Sequence, residues 1–206
     1  MNLYVGLSGS SNSLVISNQA RVFNSDGYIG ASLFSSNNSV LVTGSGSVWT
    51  NSGELYVGDG AGGNSLLISG GGVVYSLSGF LGYSNSSSNS VTVAGTGSTW
   101  TNTVNLSIGD TGNGNSLVIS NRGSVISSNG YIGLSANSSN NSVMVTGTNS
   151  AWTNSGDLYV GESGSSNSLI ISDGGSVINP PRKRNRKSNA CRFCNYRSCL
   201  LDRWKL

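Results

Sequence analysis

Residues 38–58 read NSVLVTGSGSVWTNSGELYVG, and the opening of this phrase recurs along the chain. An Asn-Ser pair followed by an apolar-x-apolar triplet stands in steps of 25 or 26 residues, starting at Asn12, Asn38, Asn64, Asn89, Asn115, Asn141 and Asn167. A period held this closely indicates one structural unit that stacks on its own copies. The repeat therefore predicts the fold more firmly than any other feature of the chain.

Each unit contains two strictly aliphatic positions with a more tolerant position between them. The second residue after the Asn is Leu or Val and the fourth is Ile or Val in every unit, whereas the third includes Thr92 and Met144. This is the pattern of a β-strand with one buried face. Two further short apolar stretches, joined by Gly, Ser and Asn turns, complete three strands per unit. We predict an all-β parallel β-helix (β-solenoid) of about seven coils, each of roughly 26 residues, over residues 1–179, with the Asn column forming an amide ladder at a corner.

Alternate units differ, so the full repeat is a doublet. The long half carries Gly-x-Gly-Ser-x-Trp-Thr-Asn or a close variant around Trp49, Trp100 and Trp152, which are 51 and 52 residues apart. The short half carries phrases such as Tyr28-Ile29-Gly30. The size and the sequence of the doublet resemble the repeat that is shared by bacterial type V secretion (autotransporter) passengers and by proteins with a PEP-CTERM sorting tail. That resemblance covers about residues 1–179 and implies a secreted, surface-exposed β-solenoid.

Aromatic residues supply the candidates for packing and for contact. The position eleven residues after each Asn holds large side chains that we expect to fill the core: Phe23, Trp49, Tyr75, Trp100, Ile126, Trp152 and Ile178. An exposed, sugar-stacking Trp ladder is the alternative. The Leu-Tyr-Val-Gly phrase supplies another column, whose side chains we expect to point outward. The candidate surface-binding residues are its tyrosines, Tyr4, Tyr56 and Tyr159. Ser107 replaces tyrosine at one position of this series.

The residue types present argue against most catalytic machinery. The chain has no His, which excludes Ser-His-Asp and Cys-His nucleophile systems, and residues 1–179 have no Lys to complete a phosphate-binding loop. We therefore assign no catalytic residue and no cofactor. Asp59, Asp110 and Glu162 recur after a strand-ending glycine, too sparsely for a calcium β-roll. Successive acids in this series lie two coils apart, a distance of about 9.6 Å. This distance is close to the separation of the two catalytic carboxylates in glycosidases. A carbohydrate-active β-helix enzyme is therefore the alternative function.

Charge divides the chain near residue 179. Residues 1–179 contain seven acidic and two basic side chains, a net charge of −5, whereas residues 180–206 contain nine basic and one acidic, a net charge of +8. The cysteines also lie in this tail, at Cys191, Cys194 and Cys199. The basic pI is thus a property of the tail alone.

Three interpretations of residues 180–206 remain open. The tail is the product of a reading-frame error, or a disordered basic extension that contacts nucleic acid or another anionic surface, or a metal module. The stretch from Cys191 to Cys199 resembles the end of a nuclear-receptor second zinc finger. A tetrahedral zinc site needs four ligands, so these three thiolates do not complete a structural metal site.

The sequence thus predicts a structural or adhesive segment of a secreted or surface-exposed bacterial protein. The expected partner is a surface ligand such as a glycan, or a host or neighbouring cell surface; nucleic acid is disfavoured as a partner. No apolar run is long enough to span a membrane. Because Met1 opens inside a repeat and no signal peptide precedes it, we expect the chain to be part of a longer protein.

Overall fold

The computed structural model describes residues 1–179, which form a rod of three parallel β-sheets with seven strands each. The first sheet contains β1 Leu3–Val5, β4 Gly27–Ile29, β7 Leu55–Asp59, β10 Gly79–Tyr83, β13 Asn105–Ile108, β16 Asn129–Ile132 and β19 Leu158–Val160. The second contains β2 Ser13–Ile16, β5 Ser39–Thr43, β8 Ser65–Ser69, β11 Ser90–Ala94, β14 Ser116–Ser120, β17 Ser142–Thr146 and β20 Ser168–Ser172. The third contains β3 Arg21–Asn24, β6 Val48–Asn51, β9 Val73–Ser76, β12 Thr99–Asn102, β15 Ser124–Ser127, β18 Ala151–Asn154 and β21 Ser176–Ile178.

The chain visits the three sheets in turn, so each coil adds one strand to each sheet. In the second sheet Val91 of β11 pairs with Leu66 on one side and Leu117 on the other, the same position of the repeat one coil away. The predicted parallel β-helix of about seven coils is confirmed. With strands about 4.8 Å apart, the seven coils span roughly 34 Å.

Aliphatic ladders fill the interior as the strict columns predict. Side chains alternate between the two faces of a strand, so residues two apart share a face. Val91 and Val93 of β11 are buried, while Thr92 between them faces outward and is half-buried. Outward positions in the same column include Val15 and Ile170, which are exposed. The tolerant column is therefore the solvent-facing one.

The Asn column forms a continuous buried ladder at the corner that precedes the second sheet. The Oδ1 atom of each Asn accepts a hydrogen bond from the backbone N–H of the Asn one coil earlier, at 2.8–2.9 Å. The same atom accepts a second bond from the Nδ2 of that neighbour, at 2.9–3.3 Å. Asn is required because this position needs a planar acceptor and an amide donor in one side chain.

The ladder explains the glycines at the carboxyl ends of strands in the first sheet. Gly82 has a φ of 79°, in the left-handed region, and a Cβ built on it would collide with the Asn115 amide. Gly58 and Gly109 repeat this arrangement with Asn89 and Asn141. Glycine satisfies both demands, because it adopts positive φ without strain and leaves room for the amide.

The expected core column is correct for its tryptophans and wrong for its other members. Trp49, Trp100 and Trp152 are 0 % exposed. Phe23, in contrast, is 69 % exposed and Tyr75 is 44 % exposed. Ile126 and Ile178 are also exposed.

A difference in turn length causes this error. The turn between β5 and β6 has four residues, 44–47, whereas that between β8 and β9 has three, 70–72. Counting eleven residues from the Asn therefore reaches the inward position in one half of the doublet and the outward position in the other. Trp49 pairs with Val22 and Val74. A one-residue slip in a strand exchanges its two faces.

A second buried polar column holds the indole N–H groups, and the sequence analysis did not identify it. Trp100 Nε1 donates to Ser76 Oγ at 3.2 Å, and Ser76 Oγ donates to Asn102 Oδ1 at 2.7 Å. In the same way, Trp152 Nε1 donates a hydrogen bond to Ser127 Oγ at 3.1 Å. Asn102 Nδ2 is a buried donor for which residues 1–179 supply no acceptor. The Asn of the Trp-Thr-Asn phrase is thus a core residue.

The part of the chain that the structure describes has no helix long and apolar enough to cross a membrane. The predictions for the tail, including the frameshift, basic-extension and metal interpretations of Cys191, Cys194 and Cys199, concern residues outside the described range. They stay predictions.

Candidate functional site

The outward face of the first sheet carries a ladder of stacked aromatic rings, here called the aromatic ladder. Parallel pairing aligns the residues two positions before each strand-ending glycine: Tyr4, Tyr28, Tyr56, Phe80, Ser107, Tyr131 and Tyr159. The first four rings stack at centroid separations of 4.8, 4.9 and 5.1 Å, with interplanar angles of 8–14°. The last two rings stack at 5.2 Å and 4°. The ring spacing therefore follows the strand spacing.

The candidate residues proposed from sequence all belong to this ladder, but they are fewer than its members. Tyr4 is 42 % exposed, and Tyr56 and Tyr159 are half-buried because neighbouring rings cover their faces. The sequence analysis missed Tyr28, Phe80 and Tyr131. Their signal was present, since each stands two residues before a glycine, as the three candidates do. The three candidates all come from the Leu-Tyr-Val-Gly phrase, whereas the other half of the doublet carries its aromatic residue at the same position.

Carboxylates border the ladder. The Tyr56 hydroxyl donates to Glu54 Oε2 at 3.1 Å, and the Tyr159 hydroxyl donates to Asp157 Oδ2 at 3.1 Å. Burial, and after it the nearby charge of Asp26, raises the pKa of Tyr28. The hydrogen bonds at 3.1 Å place these carboxylates at the edge of the ladder, where burial and then their charge raise the pKa of the neighbouring phenols.

Four tyrosines of the ladder, Tyr28, Tyr56, Tyr131 and Tyr159, have raised pKa values and stay neutral donors to higher pH than an exposed phenol. Burial and then the charge of Glu54 raise the pKa of Tyr56. Burial, followed by the charge of Glu162, raises the pKa of Tyr131, and burial with the hydrogen bond to Asp157 raises that of Tyr159. Phenol and carboxyl groups at the same edge give the face both donors and acceptors.

The three recurrent acids occupy equivalent corners two coils apart. Asp59 ends β7, while Asp110 and Glu162 each follow the glycine after β13 and β19. Tyr83 lies beside Asp59 in the register, so an aromatic residue rather than a second carboxylate is the next neighbour. Burial raises the pKa of Asp110. This arrangement brings no two of the three acids into adjacent coils.

The described residues place neither a cluster of metal ligands nor an arginine side chain on this face. Among residues 1–179, no three His, Cys, Asp or Glu side chains are grouped as metal ligands would be. The two arginines of this range lie on the other side of the rod, Arg21 in β3 and Arg122 in the turn before β15. The charged side chains that border the aromatic ladder within the described range are thus acidic.

Comparison of the chain with protein-family models, with curated proteins and with solved structures found no match to any of them.

Proposed function

We propose that residues 1–179 are a structural and adhesive segment of a secreted or surface-exposed bacterial protein, with the aromatic ladder as its contact face. The observation that carries the proposal is this ladder, which brings aromatic rings and carboxylates together along one side of a rod. The resemblance of the doublet to autotransporter and PEP-CTERM-type repeats supports an extracellular or cell-surface location.

The rod suits a role that depends on reach. Each coil satisfies its backbone hydrogen bonds through its two neighbours, so length is added without changing the core. The core needs no thiol, since residues 1–179 have no Cys, and this composition suits an oxidising exterior. Such a rod presents the same face at regular intervals, which favours repeated weak contacts with an extended surface.

The chemistry of the contact face favours glycans. Aromatic side chains bring a large apolar surface together with, in tyrosine, a hydroxyl group. Glu54 and Asp157 add acceptors for the hydroxyl groups of a sugar. The negative border disfavours nucleic acid, whose phosphates need Lys and Arg. A glycan of a host or neighbouring cell surface is accordingly the proposed ligand.

The experiment measures retention of the full chain on purified bacterial and host cell-surface polysaccharides. Tyr56→Ala should weaken retention, because it removes a ring from the middle of the longer stack. Tyr75→Ala is the matched control, since Tyr75 lies in the same coil but faces outward from the third sheet. Equal retention of wild type and both variants would contradict the aromatic ladder as the contact face.

A carbohydrate-active enzyme is the second candidate, and the raised pKa of Asp110 is the observation that favours it. A general acid needs such a pKa, but it also needs a second carboxylate in a different environment. The assay is the release of new reducing ends from the same polysaccharides. Cleavage that disappears in Asp110→Asn would replace the adhesive function with the enzymatic one.

A further inference from the structure

The outward face of the second sheet carries a continuous row of side chains, here called the aliphatic stripe. Parallel pairing places one member in each coil, directly beside its equivalent in the coil before. The members are Val15, Leu41, Leu67, Thr92, Val118, Met144 and Ile170. All of them except Thr92 are apolar, and all of them are exposed or half-buried. A large exposed apolar patch on a soluble protein marks an interaction site.

Rows of hydroxyl groups border the stripe on both sides. Each strand of the second sheet begins with serine. At the other border, Ser69 Oγ donates to Thr43 Oγ1 at 3.0 Å and Ser172 Oγ donates to Thr146 Oγ1 at 2.9 Å. None of the seven described strands of this sheet contains a charged residue. Covering this face therefore buries no charge of the sheet, and some of its hydroxyl groups already have partners within the same row.

The other two faces of the rod lack such a stripe. The first sheet presents the aromatic ladder, whose rings cover one another and whose edge carries carboxylates. In the third sheet an outward apolar residue alternates with threonine from coil to coil, as Tyr75 does with Thr50 and Thr101. The second sheet is therefore the face on which apolar contact can extend along the whole rod.

The area of this face suits a second copy of the chain. Most of its strands have five residues, which span about 17 Å, and its seven strands span about 34 Å. Two such faces in contact would cover about 550 Å² on each copy, or about 1,100 Å² together. A stable protein interface needs about 1,000 Å² or more.

The order of the stripe residues is self-complementary when the two rods run antiparallel. A two-fold axis through the fourth coil places each coil against the coil that lies equally far from the other end. Thr92, the one polar member, then falls on the axis and faces Thr92 of the second copy, where the two hydroxyl groups share a hydrogen bond or a bridging water. The remaining facing pairs are Val15 with Ile170, Leu41 with Met144, and Leu67 with Val118.

The charges at the two ends of the stripe favour the same orientation. Arg21 begins β3 in the first coil, and Asp173 follows β20 in the last coil. Both are exposed and lie beside the turn that leads from the second sheet to the third. In the antiparallel arrangement the first coil of each copy lies opposite the last coil of the other, so Arg21 of one copy meets Asp173 of the other at both ends. With parallel rods these two residues stay at opposite ends of the interface.

We propose that two copies of this chain associate through their aliphatic stripes as an antiparallel dimer. The two second sheets pack face to face at a distance of about 10 Å. Thr92 lies at the two-fold axis, and one Arg21–Asp173 pair lies at each end. This inference goes beyond the proposed contact function, because it uses a face of the rod other than the aromatic ladder.

The test is sedimentation equilibrium of the full chain over concentrations from about micromolar upward. Wild type should dimerise. Thr92→Lys brings two ammonium groups together at the axis and should weaken the dimer at least about tenfold. Thr101→Lys adds the same side chain in the same coil, on the outward face of the third sheet, and should leave dimerisation unchanged. Both substitutions are at outward positions, so melting temperatures close to that of wild type are expected.

Charge exchange at the ends of the stripe tests the orientation. Arg21→Asp should weaken the dimer about threefold or more, because it turns two ion pairs into two repulsive contacts. Asp173→Arg should act in the same direction. The variant with both substitutions restores the pairs with exchanged signs and should recover the association of wild type. A double variant that associates as weakly as the single variants would overturn the antiparallel arrangement.

Three other results would overturn the stripe as the interface. Wild type could sediment as a monomer at every concentration. The dimer could be as strong in Thr92→Lys as in wild type, which would assign the contact to another part of the chain. A monomer that floats with neutral phosphatidylcholine vesicles, and loses this binding in Thr92→Lys, would identify a lipid surface as the partner. These results leave the contact function open to its own test, which is retention of Tyr56→Ala on polysaccharides.

Discussion

Asn115 Oδ1 accepts two hydrogen bonds from Asn89, one from its backbone N–H and one from its Nδ2, both at 2.9 Å. One oxygen thus fixes both the backbone and the side chain of the coil before it. Because Asn89 receives the same two bonds from Asn64, each amide holds its neighbour in position to hold the next. The Asn ladder therefore ties successive coils together at this corner.

The first prediction concerns that amide. Asn115→Ala leaves two donors of Asn89 without this acceptor, and each unsatisfied buried group costs about 1–3 kcal/mol. We expect the free energy of unfolding to fall by about 2–5 kcal/mol, measured by urea denaturation. Asn137→Ala, in an exposed turn, is the control and should change it little. Equal stability of the two variants would mean that the ladder bonds are replaced by water at no cost.

A second prediction separates backbone strain from steric exclusion at glycine. Gly82 and Gly97 have nearly equal φ values, 79° and 81°, but only a Cβ at Gly82 would meet the Asn115 side chain. Gly97→Ala should cost about 1–2 kcal/mol for the left-handed conformation. Gly82→Ala should cost about 1–3 kcal/mol more, as overpacking does. The same denaturation experiment measures both, and similar losses would contradict the steric contribution of the ladder.

The third prediction tests the corrected register of the third sheet. Trp100→Ala should lower the free energy of unfolding by about 3–5 kcal/mol, because a buried ring and its N–H bond are lost. Tyr75→Ala should stay within about 1 kcal/mol of wild type, since Tyr75 faces outward. Thermal melting of both variants measures these changes in stability. A large loss of stability in Tyr75→Ala would support a core position for Tyr75, which the structure contradicts.

Alkaline pH should destabilise the rod through the ladder. The pKa values of Tyr28, Tyr56, Tyr131 and Tyr159 are raised above their ordinary value of 10.0 in the folded chain. Above pH 10 the unfolded chain therefore releases these protons while the folded chain keeps them, so stability declines as pH rises through that window. Below that pH window both states keep these protons, so the tyrosines do not make the stability of the rod depend on pH.

Tyr56→Phe provides the control for that alkaline loss. Phenylalanine keeps the ring in the stack but has no proton to release. Denaturation midpoints measured on both sides of the tyrosine pKa should fall less steeply in the variant. An unchanged slope would show that the Tyr56 pKa does not differ between the folded and unfolded states.

Two acids should show opposite pH dependence. Burial raises the pKa of Asp110, so its contribution to stability is greatest below its ordinary value of 3.8 and is lost as pH rises through the folded pKa. Hydrogen bonds from Thr146 and Ser172 lower the pKa of Asp173, whose contribution is present above 3.8 and is lost as pH falls through the folded pKa. At neutral pH, Asp110→Asn should raise the melting temperature and Asp173→Asn should lower it slightly. If both variants changed the melting temperature in the same direction, the direction of the pKa shift given for Asp110 or for Asp173 would be wrong.

The sequence by itself determined the coil period, the three strands per coil, the inward Leu and Ile columns and the Asn corner ladder. It could do so because a solenoid places each residue on its own repeat-equivalent, so columns in the sequence become ladders in space. The inward position of Trp100 followed from the same columns. This information is local and periodic, and needs no knowledge of distant contacts.

The tertiary structure alone decided which face each aromatic residue takes and which of them meet. Turns of three and four residues before the third sheet shift the count by one, so Tyr75 faces solvent although it aligns by number with Trp100. Tyr28 and Tyr56 come from opposite halves of the doublet and share only the Tyr-aliphatic-Gly pattern, and parallel pairing stacks them at 4.9 Å. The physical reason is that inter-strand hydrogen bonds set the register, and register assigns side chains to faces.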